Sequence, residues 1–305
     1  MSDKFSVLHV DREQAISMES VGSKRKFWFS HNHKRLIFKA EERGTGEDWA
    51  EVVSAEICEL LGLPHVKYQL AQEFVDGTYV FPGVVSERLI TWSESLILGN
   101  ALLLVQDPSY PTTQRRKVRQ HSRQAVTDAI WNFRPPRGEE LMPEECRTAG
   151  GAFIGYLLLD AWIANTDRHH ENWGVVWDGK VFRLASTFDH GAALAHNLKD
   201  EERVLRMTTK DRNRTVQAFA ERGESALYLS DDEAKPMKLL EAFEVFAEYA
   251  PEAGRAWLER LSLIGLDDLA KIVDRVPDER ITTICRDFTL KLLEINQRRL
   301  LDLDI

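Results

Sequence analysis

Cysteine is scarce in this chain of 305 residues: there are three, Cys58, Cys146 and Cys285, and no two have paired spacing. That excludes a disulfide framework and a zinc knuckle, and it points to a reducing compartment. Long apolar runs are missing as well. The two longest, LILGNALLLV and FIGYLLLDAWIA, fall short of the ~20 residues a membrane helix needs. The opening MSDKFSVLHVDREQ has no apolar core behind a basic head, so it does not read as a signal peptide. The expected location is cytoplasmic, with no membrane partner. Positive charge is in deficit, with a net charge of −9, so the molecule as a whole is not an electrostatic nucleic-acid binder and no direct DNA binding is expected. No internal repeat and no low-complexity tract is present. What remains is 43% hydrophobic and 29% charged, the composition of an ordinary globular chain of roughly two lobes.

Up to about residue 90 the pattern is strand-rich. KFWFS and RLIFKA flank a polar HNHK turn and predict a hairpin. EDWAEVVSAEICELLGLP predicts a helix, with Thr45 and Asp48 as a capping box and Gly62 followed by Pro64 as its stop. HVKYQLAQEF and TYVFPGVVSERL, separated by Asp-Gly, predict a second strand pair. From about residue 92 the spacing of apolar residues is mostly helical. The expected architecture is α+β: a small strand-rich N-lobe over 1–88 and a larger, mainly helical C-lobe over 89–305, joined near Ser86–Trp92.

The stretch IANTDRHHENWGVV, residues 163–176, places seven ionisable or amide side chains between apolar segments. GGAFIGYLLLDAWI before it is apolar on nearly all sides and reads as a buried helix. After it, Asp178-Gly179 predicts a two-residue hairpin between WGVVW and KVFRLA. That turn sets Trp177 opposite Lys180 and Asn172 opposite Ala185, so Asp189 in STFDHG returns toward Asn172 and Asp167. Two carboxylates and an amide oxygen gathered in this way suit phosphoryl transfer. One carboxylate orients the attacking hydroxyl, while the amide and the second carboxylate hold magnesium on ATP phosphates.

Such chemistry also needs a cation from the N-lobe. Lys39 ends the strand LIFKA and precedes a helix carrying Glu51 and Glu56, and a strand lysine paired with a helix glutamate aims its ammonium at phosphates. Glu51, in the first two turns, is the expected partner, with Glu56 in reserve. Gly22 and Ser23, in ESVGSKRKF, form a candidate phosphate loop. Ser86, Glu87 and Arg88 mark the interlobe hinge, whose backbone groups are expected to meet adenine.

NTDRHHEN resembles the N-x-D-x-H-x-x-N pattern of HipA-type serine/threonine kinases, which share a core with phosphatidylinositol 3/4-kinases. LASTFDHGAAL is similar to that family's magnesium-binding stretch, and EICELLGLPHVKYQLA and GVVSERL are similar to its small lobe. The resemblance spans about residue 20 to the end and implies a bilobal protein-kinase-like fold using ATP and Mg2+. It makes Asp167 the catalytic base, Asn172 and Asp189 the metal ligands, Lys39 the ATP-phosphate lysine and His169 the residue that orients the catalytic loop. Family members include toxins that phosphorylate aminoacyl-tRNA synthetases and are restrained by small antitoxin partners. Some phosphorylate themselves in the loop before the first strands, which nominates Ser20 and Ser23. The chain departs from the pattern at Glu171, where lysine is frequent, and in reading Asp-His-Gly at the metal motif. It resembles the compact, core-only members.

Other readings of the same residues exist. The HNH at 31–33 spells a nuclease tripeptide, but it falls in a hairpin turn. His169 and His170 are adjacent and so diverge, which disfavours a zinc hydrolase. RRKVRQHSR at 115–123 is either a solvated face or a surface that meets an acidic or tRNA-bound substrate. The same core hosts lipid and small-molecule kinases, and a nucleotide-binding pseudokinase is the non-enzymatic alternative.

Overall fold

The computed structural model describes residues 3–18 and 25–305. Two strands with little signature in the sequence come first, β1 (Val7–Asp11) and β2 (Ala15–Met18). β3 (Lys26–His31) and β4 (Lys34–Ala40) form the expected hairpin. Its turn residues Asn32 and His33 have φ of 49° and 62°, the left-handed pair whose twist matches that of the strands. After α1 (Glu47–Leu61), the strands β5 (Tyr68–Val75) and β6 (Thr78–Glu87) close in the same way around Asp76 and Gly77.

The six strands make one sheet in the order β1-β5-β6-β4-β3-β2, with β1 parallel to β5 and the other pairs antiparallel. Side chains alternate along β4. Phe38 joins Phe27, Phe29 and Val85 in an apolar layer on one face, which sends Lys39 to the other. α1 packs there, its Val53 and Ile57 fully buried.

The entry to α1 differs from the expected capping box. Its N-cap is Gly46, with no side-chain cap from Thr45. The carboxylate of buried Glu41 instead accepts the N–H groups of Arg43 at 2.7 Å, Thr45 at 3.0 Å, Gly46 at 2.8 Å and Glu47 at 3.1 Å. Burial pushes the Glu41 carboxyl up, but these donors together hold it below the ordinary range. Gly62 ends the helix in the left-handed conformation, as expected.

The remainder contains β7 (Ser95–Leu98), α2 (Gly99–Gln106), α3 (Arg123–Ile130), α4 (Ala149–Ile163), β8 (Gly174–Trp177), β9 (Phe182–Leu184), α5 (Asp200–Thr208), α6 (Val216–Arg222), α7 (Leu239–Ala247), α8 (Pro251–Ser262), α9 (Leu266–Asp274) and α10 (Thr283–Leu301). The apolar run LILGNALLLV splits at Gly99 into a strand and a helix. Every residue of α4 is buried, and its apolar surface joins α7, α8 and α10 in the main core. Among the described residues no helix is long and apolar enough to cross a membrane.

β7, β8 and β9 form a small antiparallel sheet. The β8–β9 register is a correction. Trp177 pairs with Phe182 rather than Lys180, and Gly174 rather than Asn172 meets Ala185, whose N–H it accepts at 2.9 Å. The cause is a four-residue loop in which Asp178 Oδ1 accepts the N–H groups of Lys180 and Val181, both at 2.9 Å. The slip is an even number of residues, so no side chain changes face.

Candidate active site

α4 ends at Ala164 in a left-handed conformation, φ 55°, and the chain then winds around one buried guanidinium. Arg168 is 1% exposed. Its Nε and Nη2 each lie 2.7 Å from the carboxylate of Asp160, one turn back in α4, and its Nη1 donates to the Asn172 carbonyl at 2.9 Å. Asn165 donates to the same Asp160 carboxylate at 2.7 Å. Burial disfavours the Arg168 charge, but Asp160 more than restores it. Both ends of the loop are thus fixed to one salt bridge.

Within that frame Asn165 accepts the Asp167 N–H at 3.2 Å, and the Asn172 amide donates to the Asp167 carbonyl at 2.7 Å. The Asn172 amide nitrogen is thereby engaged, which fixes its oxygen as the free-facing end. Asp167 and Asn172 line one cleft of about 750 Å³ between the large sheet and the helical part. His169 accepts the Glu171 N–H on Nδ1 at 3.1 Å, so its proton sits on Nε2, which lies 3.8 Å from Asp167. Burial lowers the His169 pKa, although Asp167 and Glu171 oppose this. His170 turns away into the core, where Tyr110 Oη meets its Nδ1 at 2.7 Å.

The opposite wall carries Lys39. Its ammonium contacts Asp189 directly, and Glu51 stands behind it at 3.9 Å. Burial works against the ammonium charge, but Asp189 and Glu51 raise the Lys39 pKa overall. The Tyr68 hydroxyl accepts the Asp189 N–H at 3.2 Å, tying that acid to one strand of the sheet. Asp189 adopts φ 60°, and Thr187 before it is pinned to the chain at Pro64 and Val66 by backbone bonds of 3.0 and 2.9 Å. A Cβ on Gly191 would sit 3.0 Å from Glu51 Oε2, so this glycine lets the segment lie against α1.

Lys39, Asp167, His169, Asn172 and Asp189 therefore share one cleft. Glu51 rather than Glu56 partners the lysine, because Glu56 is taken by Arg275 at 2.7 Å. Ser86 lines the cleft together with the apolar Ile37, Val84, Leu96 and Leu98. Glu87 and Arg88 turn elsewhere: Glu87 pairs with Lys34, and Arg88 lies over the Trp92 ring at 4.6 Å. Gly22, Ser20 and Ser23 lie outside the described residues.

The spacing of motifs did not disclose four participants. Asp160 had a signal, being the one carboxylate in an otherwise apolar helix. Tyr68 had none. Arg115 and Arg116 belong to the basic run and reach the cleft, where Arg115 Nε lies 2.6 Å from Glu171 and Arg116 Nη2 lies 3.2 Å from Asp167. A cation thus stands beside Glu171 even though the loop itself carries an acid there.

The fold matches two solved kinase-related structures. The Helicobacter pylori proinflammatory kinase CtkA superposes with a TM-score of 0.69 over 100% of both chains, at 18% identity. The HipA of Shewanella oneidensis, solved with HipB and its operator DNA, matches with a TM-score of 0.51 over 97% of this chain and 69% of that one, at 11% identity. The chain has a HipA-type kinase fold. No family model and no curated protein matches the sequence. In this fold the large sheet with α1 is the N-terminal wall of the cleft, and the loop at 165–172 belongs to the helical wall.

Proposed function

We propose that this protein is an ATP-dependent serine/threonine kinase of HipA type, with an N-lobe over 1–88 and a C-lobe over 89–305. One observation carries the reading: the Lys39 ammonium, backed by Glu51, meets Asp189 in the same cleft as Asp167 and Asn172. Lys39 holds the donor phosphates, and Ile37, Val84, Leu96 and Leu98 offer an apolar slot for adenine beside the backbone near Ser86.

The donor set suits magnesium. Among the described residues there is no cluster of three or more acidic, histidine or cysteine side chains able to cage a metal, and magnesium bound with nucleotide phosphates needs only one or two protein oxygens. Asp189 and the Asn172 amide oxygen supply them. Magnesium, when bound, neutralises charge on the phosphates. Asp167 accepts the proton of the acceptor hydroxyl, and His169 stands beside that carboxylate with Nε2 at 3.8 Å. Positioning and fixed charge provide the rate enhancement, without covalent chemistry by the protein.

The finer proposals are a protein acceptor, self-phosphorylation at Ser20 or Ser23, and restraint by a small partner chain. Incubation with γ-labelled ATP and magnesium tests the core reading. Label on serine or threonine, absent in Asp167→Ala and Asp189→Ala, supports it. Label only on lipid substitutes the lipid-kinase reading, and nucleotide binding without turnover substitutes the pseudokinase.

A further inference from the structure

A second hollow opens on the other side of Asp167. It holds about 560 Å³ and shares Asp167, Thr166 and Arg116 with the cleft already described. Its floor includes Phe219 of α6 and buried Tyr228, while Arg116, Lys117 and Arg222 stand on its rim. Besides Asp167 the only acid lining it is Glu224, and Lys238 already holds that carboxylate at 2.9 Å. Arg222 donates to the Asn213 carbonyl at 2.8 Å, and among the described residues neither it nor Lys117 forms an ion pair. In a molecule of net charge −9, this rim is a local reversal of sign. Fixed cations around an apolar floor complement an anionic, partly apolar ligand.

The position says what that ligand does. In-line transfer requires the acceptor hydroxyl to reach the γ-phosphorus opposite the leaving ADP oxygen and within reach of Asp167, and this hollow meets the nucleotide cleft at Asp167. We propose that this hollow is the acceptor site, and that it selects a polypeptide segment whose serine or threonine is flanked by acidic residues, with an apolar side chain on the Phe219–Tyr228 floor. The assignment rests on the kinase reading of the adjoining cleft. The acceptor oxygen forms a bond to the γ-phosphorus as the bond to the β–γ bridging oxygen breaks. The hydroxyl proton passes to Asp167, and ADP leaves.

Arg116 links specificity to chemistry. Its guanidinium is mostly exposed and lies 3.2 Å from the Asp167 carboxylate that has to take the proton. An acidic residue on the acceptor offers Arg116 a second partner and releases Asp167 to the hydroxyl. A neutral or basic acceptor leaves the Arg116–Asp167 pair in place. Acidic flanks therefore act on kcat as well as on KM.

The test is a peptide panel with one serine-containing core and acidic, neutral or basic flanks, assayed with γ-labelled ATP. The acidic set is expected to exceed the neutral set by about tenfold in kcat/KM, with part of the gain in kcat. The double variant Lys117→Glu/Arg222→Glu is expected to prefer basic flanks, a gain that misfolded protein cannot give. ATP turnover that is lost in Asp189→Ala but indifferent to flank charge overturns the acceptor assignment alone. So does a double variant that keeps the acidic preference, or labelling of anionic lipid vesicles above every peptide. Absence of any ATP turnover overturns the kinase reading, and this inference with it.

Discussion

The strand position of Lys39 sets the charge of the cleft, because alternation along β4 turns Phe38 to the core and the ammonium to the cleft. Truncation in Lys39→Met is expected to weaken ATP binding and lower turnover by about 10²-fold or more, the scale seen when one fixed charge is removed from a reacting site. Titration calorimetry and rate measurement check this, and unchanged affinity removes the assignment. Asp160 invites a different test. Asp160→Ala strands a fully buried guanidinium and is expected to cost about 3–5 kcal/mol of stability, read from urea unfolding. An Asp160→Leu/Arg168→Met pair is expected to recover much of that stability while activity stays low, since the 165–172 loop loses its frame. The gathering of Asp167, Asn172, Asp189 and Lys39 in one cleft was legible in the sequence. Arg115, Arg116 and Tyr68 were not, because their contacts with the cleft join segments more than 50 residues apart.

Among the elements, α1 and the hairpins closed by Asn32-His33 and by Asp76-Gly77 were readable because polar turn residues interrupt strong apolar periods. The entry to α1 was misread because four N–H groups found a carboxylate five residues upstream instead of a local cap. Glu41→Ala is expected to cost about 2 kcal/mol, near the upper end for loss of a helix cap, and to reduce activity further because α1 carries Glu51. Differential scanning calorimetry beside the transfer assay separates the two effects. At β6 the limit is steric. A Cβ on Gly83 would lie 2.3 Å from the Lys39 carbonyl, so Gly83→Ala is expected to push β4 from β6 and displace the lysine. The β8–β9 register escaped the sequence because a two-residue and a four-residue loop share the Asp-Gly start. The site survived the error because the slip was even.

Across the molecule, α1 binds the two halves. Its Asp48 pairs with Arg280, and its Glu56 pairs with Arg275, whose carbonyl accepts the Phe5 N–H at 2.6 Å. The α+β, two-part organisation was visible in the change of period near residue 90. The packing of α4 among α7, α8 and α10 was not, since an all-round apolar helix names no neighbours. The core also carries a pH dependence. Burial pushes His121 down to about 3 and His170 down to about 4, and His190 falls well below its ordinary value. These groups are depressed in the folded state, so below pH ~6.5 the unfolded chain binds more protons and stability falls with pH. One histidine held neutral at pH 5 costs about 2 kcal/mol there. The midpoint of thermal unfolding is therefore expected to drop on going from pH 7.5 to 5. Lys39 contributes nothing in that window, because its raised pKa keeps it charged until well above neutrality.

The most direct test of the central claim is calorimetric titration of ATP with magnesium and with EDTA, on the wild-type chain and on Asp189→Ala. Tight binding that needs magnesium and is lost with the Asp189 carboxylate is the expected result. Equal affinity in all four titrations, or no binding in any, contradicts a nucleotide–metal cleft built from Lys39, Asn172 and Asp189.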